Sequence, residues 1–237
     1  MYNIKRVLDY GLVRLVEHMG SDLSIVRNAR VSYDAEWRAG EDEGSDTRLI
    51  NYLYKNGHTT PFECVTFTFE IKAPIFVLRQ WHRHRTQSYN ELSARYRPLP
   101  EEFYVPLSKN IGVQSASNKQ MRVVGEELTA EEYAEADVSS SLIYEACTHA
   151  FGVYKHLLER GVPRELARGV LPVNTYSHMF ATMNLHNLFR FLGERLHPHA
   201  QHEIKVYAEA MLEMIEPIVP VAVAAFRKTL IKEEVKV

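Results

Sequence analysis

Val65, Phe67, Phe69 and Ile71 alternate with polar residues along "ECVTFTFEIK", and Pro74 closes the run before "PIFVLRQWHRHR" changes period. Period-two apolar spacing makes a strand with one buried face. A proline suits the first turn of a helix, where its missing N–H has no partner to lose. The chain must therefore pass from a half-buried strand straight into a helix, predicted over 74–85. There Phe76 and Val77 pair with Trp81 for the core, while Gln80, Arg83, His84 and Gln87 follow at i, i+3, i+4 and i+7. That polar stripe runs into "RHRTQSYNELSARY", Arg83 to Tyr96, the densest group of hydrogen-bond donors in the chain.

The other elements are read in the same way. Residues 2–18 predict two strands turning near Asp9–Gly11. "SDLSIVRNARVS" and "SDTRLINYLYKNGH" each open on a Ser-Asp cap and predict short helices, the second stopping at Gly57. Residues 107–139 are polar and poor in periodicity, the expected insertion or mobile loop. From Ser140, the series Ile143, Cys147, Phe151, Tyr154 and Leu158 predicts a core helix ending at Gly161. A short helix follows with Pro163 in its first turn and Pro172 beyond its end. "NTYSHMFATM" alternates as a strand. Asn184 then caps "LHNLFRFLGERL", whose Leu185, Leu188, Phe189 and Leu192 face inward and whose His186 and Arg190 face out. "HAQHEIKVYAEAMLEMIEPI" predicts another amphipathic helix and "KEEVKV" a solvated tail. Strands and helices mix without a βαβ rhythm, a repeat or a linker. The fold class is therefore α+β, a mixed, largely antiparallel sheet packed with helices in a single domain over 1–237.

Composition excludes several functions. The 237 residues carry 28 basic against 30 acidic side chains, a net charge of −2, so no global field attracts a polyanion and no nucleic-acid partner is expected. Only Cys64 and Cys147 supply thiols, too few and too far apart for a disulfide framework or a thiol-rich metal site. A reducing cytoplasm fits. The first residues lack a signal-peptide pattern and "PIVPVAVAAF" is too short to span a bilayer, so no membrane association is expected.

The arginine stretch needs a ligand or a partner. Its three arginines are interleaved with aromatic residues beside Trp81 and adjoin two buried-looking elements, where an unpaired charge is costly. Arginine is favoured over lysine where planar anions or flat heterocycles are held. A phosphate joined to an aromatic ring, in other words a nucleotide, satisfies both. Neither the dinucleotide glycine fingerprint nor a P-loop is present, so side chains must hold any phosphate. Two other readings stay open: a nucleotide- or RNA-binding module without catalysis, and a histidine metal site built from His82 and His84 or from His197, His199 and His202.

"RHRTQSYNELSARY" matches without a gap the pattern R-H-R-x-x-S-x-N-E-x-S-x-R-Y of the flavin-dependent thymidylate synthases, also called thymidylate synthase-complementing proteins. "ARVSY", "GHTTPFE", "APIFVLRQW", "GVPRELARGVLP" and "HAQHEI" resemble further segments of that family in order. Residues 107–139 and the C-terminal tail resemble nothing in particular. The resemblance implies reductive methylation of dUMP to dTMP, with 5,10-methylenetetrahydrofolate as carbon donor and NADPH reducing a bound FAD. It also implies a homotetramer whose active sites are shared between subunits.

The C5 carbon of uracil can be activated by a thiolate added at C6 or by polarising the ring. Both cysteines lie in apolar patterns and read as inert. By the resemblance, Arg195 stabilises the uracil as N3 ionises. Taken alone it reads equally as a cation on the last carbonyls of a helix. The resemblance places Gln80, Arg83, Glu91, Ser93, Arg95, Arg168 and Arg195 around dUMP, with Ser93 a hydrogen-bonding ligand. It places Ser32, His58, Thr60, Arg83, His84, Arg85, Asn90, Glu91, Asn184, His186 and Arg190 around the flavin. His58 by itself reads as a residue following a helix stop. His186 stands where many members have arginine and Arg190 where the family varies, a change that keeps a cation on one helix face. His199 reads as orienting neighbouring groups, and no metal is expected.

Overall fold

A computed structural model of the chain describes residues 4–124 and 128–234, with side chains to residue 230. Strands β1 (Ile4–Val7) and β2 (Gly11–Met19) form the expected hairpin, turning through Leu8 in the left-handed region at φ 56°. β3 (Thr66–Pro74) pairs with β2 on one side and with β7 (Tyr176–Asn184) on the other, and β4 (Ser88–Glu91) joins β7 at the edge. Every pairing in this five-stranded sheet, ordered β1-β2-β3-β7-β4, is antiparallel. The expected mixture of strand directions is thus corrected: hairpin and crossover connections return each neighbour in the opposite sense.

The alternation read from sequence decides which side of β3 is covered. Phe67, Phe69 and Ile71 are fully buried, and each aromatic ring removed from water contributes roughly 2–3 kcal/mol. Helices α2 (Glu43–Lys55), α3 (Ile75–Trp81), α7 (Leu185–Leu196), α8 (His202–Ile215) and α9 (Pro220–Glu234) share that core, with α1 (Asp22–Arg30) beside them. Trp81 stacks on Phe191 at 4.5 Å between ring centroids, and Phe189 stacks on Phe226 at 4.7 Å. Gly11 is required by close approach: a Cβ there would collide with the Tyr207 hydroxyl and the Val7 carbonyl oxygen.

Several boundaries differ from expectation. α2 starts at Glu43, because Asp42 accepts from the Ser45 amide at 3.0 Å and takes the cap assigned to Ser45 and Asp46. Asp46 instead lies buried, paired with Arg30 at 2.6 Å. α3 stops at Trp81, with Pro74 as its N-cap, so the polar stripe is not a helix face. The amide of His84 closes a turn on the Trp81 carbonyl at 2.9 Å, and the chain reverses into β4.

Residues 107–139 are not one loop. They form α4 (Ser108–Ile111), a hairpin of β5 (Val113–Gln114) and β6 (Arg122–Val123), and the start of α5 (Ala130–Glu159), which Thr129 and Glu132 open as a capping box. From Ser140 onward α5 is the expected amphipathic helix, with Ile143 and Leu158 packed against a second, smaller core. Only Ala136, Cys147, Phe151 and Tyr154 are buried along it, the last three in a small cluster with Phe103 and Ala167. α6 (Arg164–Ala167) is the expected short helix. α9 was not foreseen. It runs through Glu234 into the predicted tail, whose residues 235–237 lie outside the described residues. Among the described residues no helix is long and apolar enough to cross a membrane.

Candidate active site

Asn184 ends β7 and caps α7, its side chain accepting from the Asn187 amide at 2.9 Å. Burial of Leu185, Leu188, Phe189, Phe191 and Leu192 then fixes the roll of α7. His186, Arg190 and Glu194, four residues apart, are left along one wall of a cleft of about 640 Å³. The turn carrying Arg83, His84 and Arg85 forms a second wall, with Thr59 and Tyr54 from the region of α2 and Phe226 from α9 nearby. Five sequence-predicted flavin residues therefore meet here: Arg83, His84, Arg85, His186 and Arg190.

Arg195 is not in the lining but is fastened to it. Its Nε donates to His84 Nε2 at 3.0 Å and its Nη2 donates to the Gln80 carbonyl at 3.3 Å. A guanidinium can only donate, so His84 must accept at Nε2 and carry its proton on Nδ1. Burial, together with the positive charges of Arg195 and Arg190, holds the imidazole down at about 4, against an opposing contribution from Glu194. His84 is also held by its ring edge against Phe191 at 4.9 Å and by its carbonyl, which accepts from the Tyr89 hydroxyl at 2.7 Å. Burial lowers the pKa of Arg195 while Glu194 raises it.

The residues predicted for dUMP are dispersed. Glu91 and Arg168 line a second hollow of about 360 Å³, where Glu91 accepts from the Ser177 hydroxyl at 2.6 Å. Arg95 lines a third, of about 560 Å³, and pairs with Glu165 at 3.2 Å. Ser93 Oγ accepts from the Arg95 amide at 3.3 Å. Gln80 binds the Gln201 side chain while its carbonyl holds Arg195. Within one chain, Arg195 and Arg168 do not share a hollow.

Other flavin candidates also stay outside the first cleft. Ser32 is exposed in the 3-10 turn Val31–Tyr33, and Asn90 is exposed on β4. His58 stacks on Tyr52 at 6.0 Å, and Thr60 opens a 3-10 turn next to Thr59. The side-chain oxygen of Asn184 is engaged in capping. Thr59, Thr86, Asn187, Glu194 and His197 line the cleft without having been predicted for the flavin. Glu194 was legible as the next turn after His186 and Arg190. The wall from α9 was not, because "PIVPVAVAAF" carries no polar stripe.

Burial raises the pKa of both thiols, and Cys64 donates to the Pro61 carbonyl at 2.9 Å. Neither is an activated nucleophile. Among the described residues no group of three or more His, Cys, Asp and Glu gathers as a metal site.

The chain is similar to known proteins along most of its length. The family model described as thymidylate synthase complementing protein matches residues 14–221. The flavin-dependent thymidylate synthase of Treponema denticola is 45% identical over 226 residues, which cover 94% of this chain and 81% of that one. An enzyme of that name from Thermus thermophilus is 47% identical over 227 residues, 95% of this chain and 79% of the relative. The crystal structure of a UMP/dUMP methylase, PolB, from Streptomyces cacaoi bound with 5-Br dUMP superposes with a TM-score of 0.81 at 38% identity, covering 94% of this chain and 97% of that one. With the fold, the arginine-lined cleft and the inert cysteines already in place, these likenesses settle that the chain belongs to the thymidylate synthase complementing protein family.

Proposed function

We infer that this protein methylates dUMP to dTMP reductively and without a cysteine nucleophile, as a single domain over 1–237. The observation that carries the reading is the bond from Arg195 Nε to the unprotonated Nε2 of His84. It holds a guanidinium in a fixed orientation beside a cleft lined by three more arginines, Arg83, Arg85 and Arg190. A preoriented cation of this kind stabilises charge developing on a ring as a proton leaves. Arg195 accordingly meets the uracil as N3 ionises and raises electron density at C5, with no thiolate addition required.

The cleft suits a flavin. Its guanidiniums are the side chains that hold a diphosphate, and Tyr54, Phe189 and Phe226 supply apolar surface for a flat ring. When bound, FAD supplies the hydride drawn from NADPH, and 5,10-methylenetetrahydrofolate supplies the carbon. Arg83, Arg85, Arg190 and His186 contribute charge and donors to hold these ligands, while His84 remains neutral and keeps Arg195 aimed.

Glu91, Ser93, Arg95 and Arg168 complete the dUMP site when several copies assemble. That Glu91, Arg95 and Arg168 line hollows other than the cleft beside Arg195 supports a homotetramer with shared sites. Ser32, His58, Thr60, Asn90 and Asn184 are assigned to the flavin in the same assembly. Two unpaired thiols suit the cytoplasm.

The test is the visible spectrum of the desalted protein supplied with FAD, before and after dUMP. Flavin bands that remain with the protein and shift on adding dUMP support one joint site. Bands indifferent to dUMP, or lost on desalting, remove it.

A further inference from the structure

Glu203 is 1% exposed at the start of α8, the most completely buried carboxylate among the described residues. Three side chains donate to it: Arg122 at 2.8 Å and Tyr104 at 3.1 Å on Oε1, and Gln201 at 2.8 Å on Oε2. Arg122 comes from the β5–β6 hairpin, in the segment that sequence analysis left without a role. A carboxylate facing a guanidinium and two further donors is ionised and can only accept. Gln201 must therefore turn its NH₂ toward Glu203, which leaves its Oε1 facing Gln80. Gln80 in turn must offer Nε2 to that oxygen, as it does. Each amide orientation follows from the one before it, beginning at a charge that has only one polarity. The far end of the chain is the Gln80 side-chain Oε1, and the same residue's carbonyl holds Arg195 at 3.3 Å.

We propose that Glu203, Gln201 and Gln80 form a relay that fixes the polarity of the Gln80 amide, so that its Oε1 reads a hydrogen-bond donor on the bound nucleotide, with Arg122 securing the relay from the hairpin. Gln201 and Glu203 are positioning residues here, acting only through Gln80. The donor is a sugar hydroxyl, since an acceptor fixed on N3–H would oppose the ionisation assigned to Arg195. The proposal rests on the reading that Gln80 touches dUMP, and it adds what fixes the orientation of that contact. It also accounts for the docked hairpin: without Arg122, Glu203 would be a buried charge short of its counter-ion.

Calorimetric titration of dUMP into the FAD-loaded protein tests the relay in a double-mutant cycle of Gln80→Ala with Gln201→Met. Gln201 is exposed and its side chain does not cap α8; Arg122 and Tyr104 stay on Glu203 when it is replaced, and an unaltered FAD content and Tm are the control that the fold is kept. Gln201→Met is expected to weaken dUMP about 5-fold, the scale of one neutral hydrogen bond. The double variant should bind no more weakly than Gln80→Ala alone. The 3′-deoxy analogue of dUMP, which lacks the sugar donor, should bind the wild type more weakly than dUMP yet bind Gln201→Met about as well as dUMP does. Glu203→Gln, which lets Gln201 adopt either orientation, should reproduce the loss with FAD content unchanged. Independent, additive losses from Gln80→Ala and Gln201→Met would overturn the relay, as would a Gln201→Met protein with wild-type affinity. Should Gln80→Ala itself bind dUMP normally, the underlying placement of Gln80 fails instead, and the two failures are thereby distinct.

Discussion

At the scale of single residues, Arg195 is defined by what holds it. His84 accepts from its Nε, and an imidazole can do so only while neutral. The ordinary histidine value of 6.5 is depressed here to about 4. The unfolded chain therefore takes up a proton at His84 below about pH 6.5 that the folded chain refuses until about pH 4. The stability tied to this group is fully present above 6.5 and is lost as pH falls toward 4, damped because the ring is only partly buried. The acid limb of kcat should lie well below the ordinary histidine range, and an activity profile against pH measures it. A limb near pH 6.5 would show that the imidazole is not held neutral. Arg195→Ala should lower kcat by about 100-fold or more, the scale of one lost donor to developing charge, while the visible spectrum still reports bound FAD. The resemblance pointed to Arg195, but its partner was beyond sequence reading. His84 lies 111 positions away, and only the packing of Phe191 against both Trp81 and the imidazole edge brings the two together.

Among the elements, those with an apolar period were legible and those set by caps or tertiary contact were misread. β3 and the inward face of α7 follow directly from alternation and from helical spacing. α3 was drawn too long because helical spacing continues through Arg83 and His84, whereas the turn after Trp81 redirects both into the cleft. The first turns of α5 bury only Ala136, and their signal was the capping box at Thr129 and Glu132. α9 shows no amphipathic stripe. Asp22 at the start of α1 accepts from the amides of Val221 and Ala222 in its first turn, a contact no local pattern announces. The cap of α7 gives a test at this scale. Asn184→Ala leaves the Asn187 amide without its acceptor and should destabilise the protein by about 1 kcal/mol, read as a lowered Tm. Because that turn carries His186 and Asn187 into the cleft, FAD affinity should fall as well. Asn184→Asp retains an acceptor and should preserve both, and equal losses in the two variants would deny the cap its role.

For the whole molecule, the signature read as one stretch proves to be divided among hollows. Arg83, His84 and Arg85 leave α3 into the first cleft, and β4 then carries the chain along the sheet edge so that Glu91 and Arg95 open elsewhere. Spacing along the chain joined these residues into one stretch and did not announce their partition, because the partition depends on β4 pairing with a strand almost a hundred residues on, Tyr89 opposite Ala181. α5 meanwhile exposes Tyr133, Val138, Leu142, Tyr144 and Val153, apolar surface of the kind that subunit contacts cover. If Arg195 of one copy works with Arg168 of another, each of Arg195→Ala and Arg168→Ala should be inactive alone, yet co-expressed chains should regain activity. With random assembly from equal amounts, about a quarter of the shared sites would combine two intact residues. A site built within one chain would regain nothing, since every chain then carries one defect. Co-purified mixed oligomers, assayed for dTMP against either variant alone, separate the two cases. Recovery near a quarter would show that the site served by Arg195 of one chain is completed by Arg168 of a neighbour.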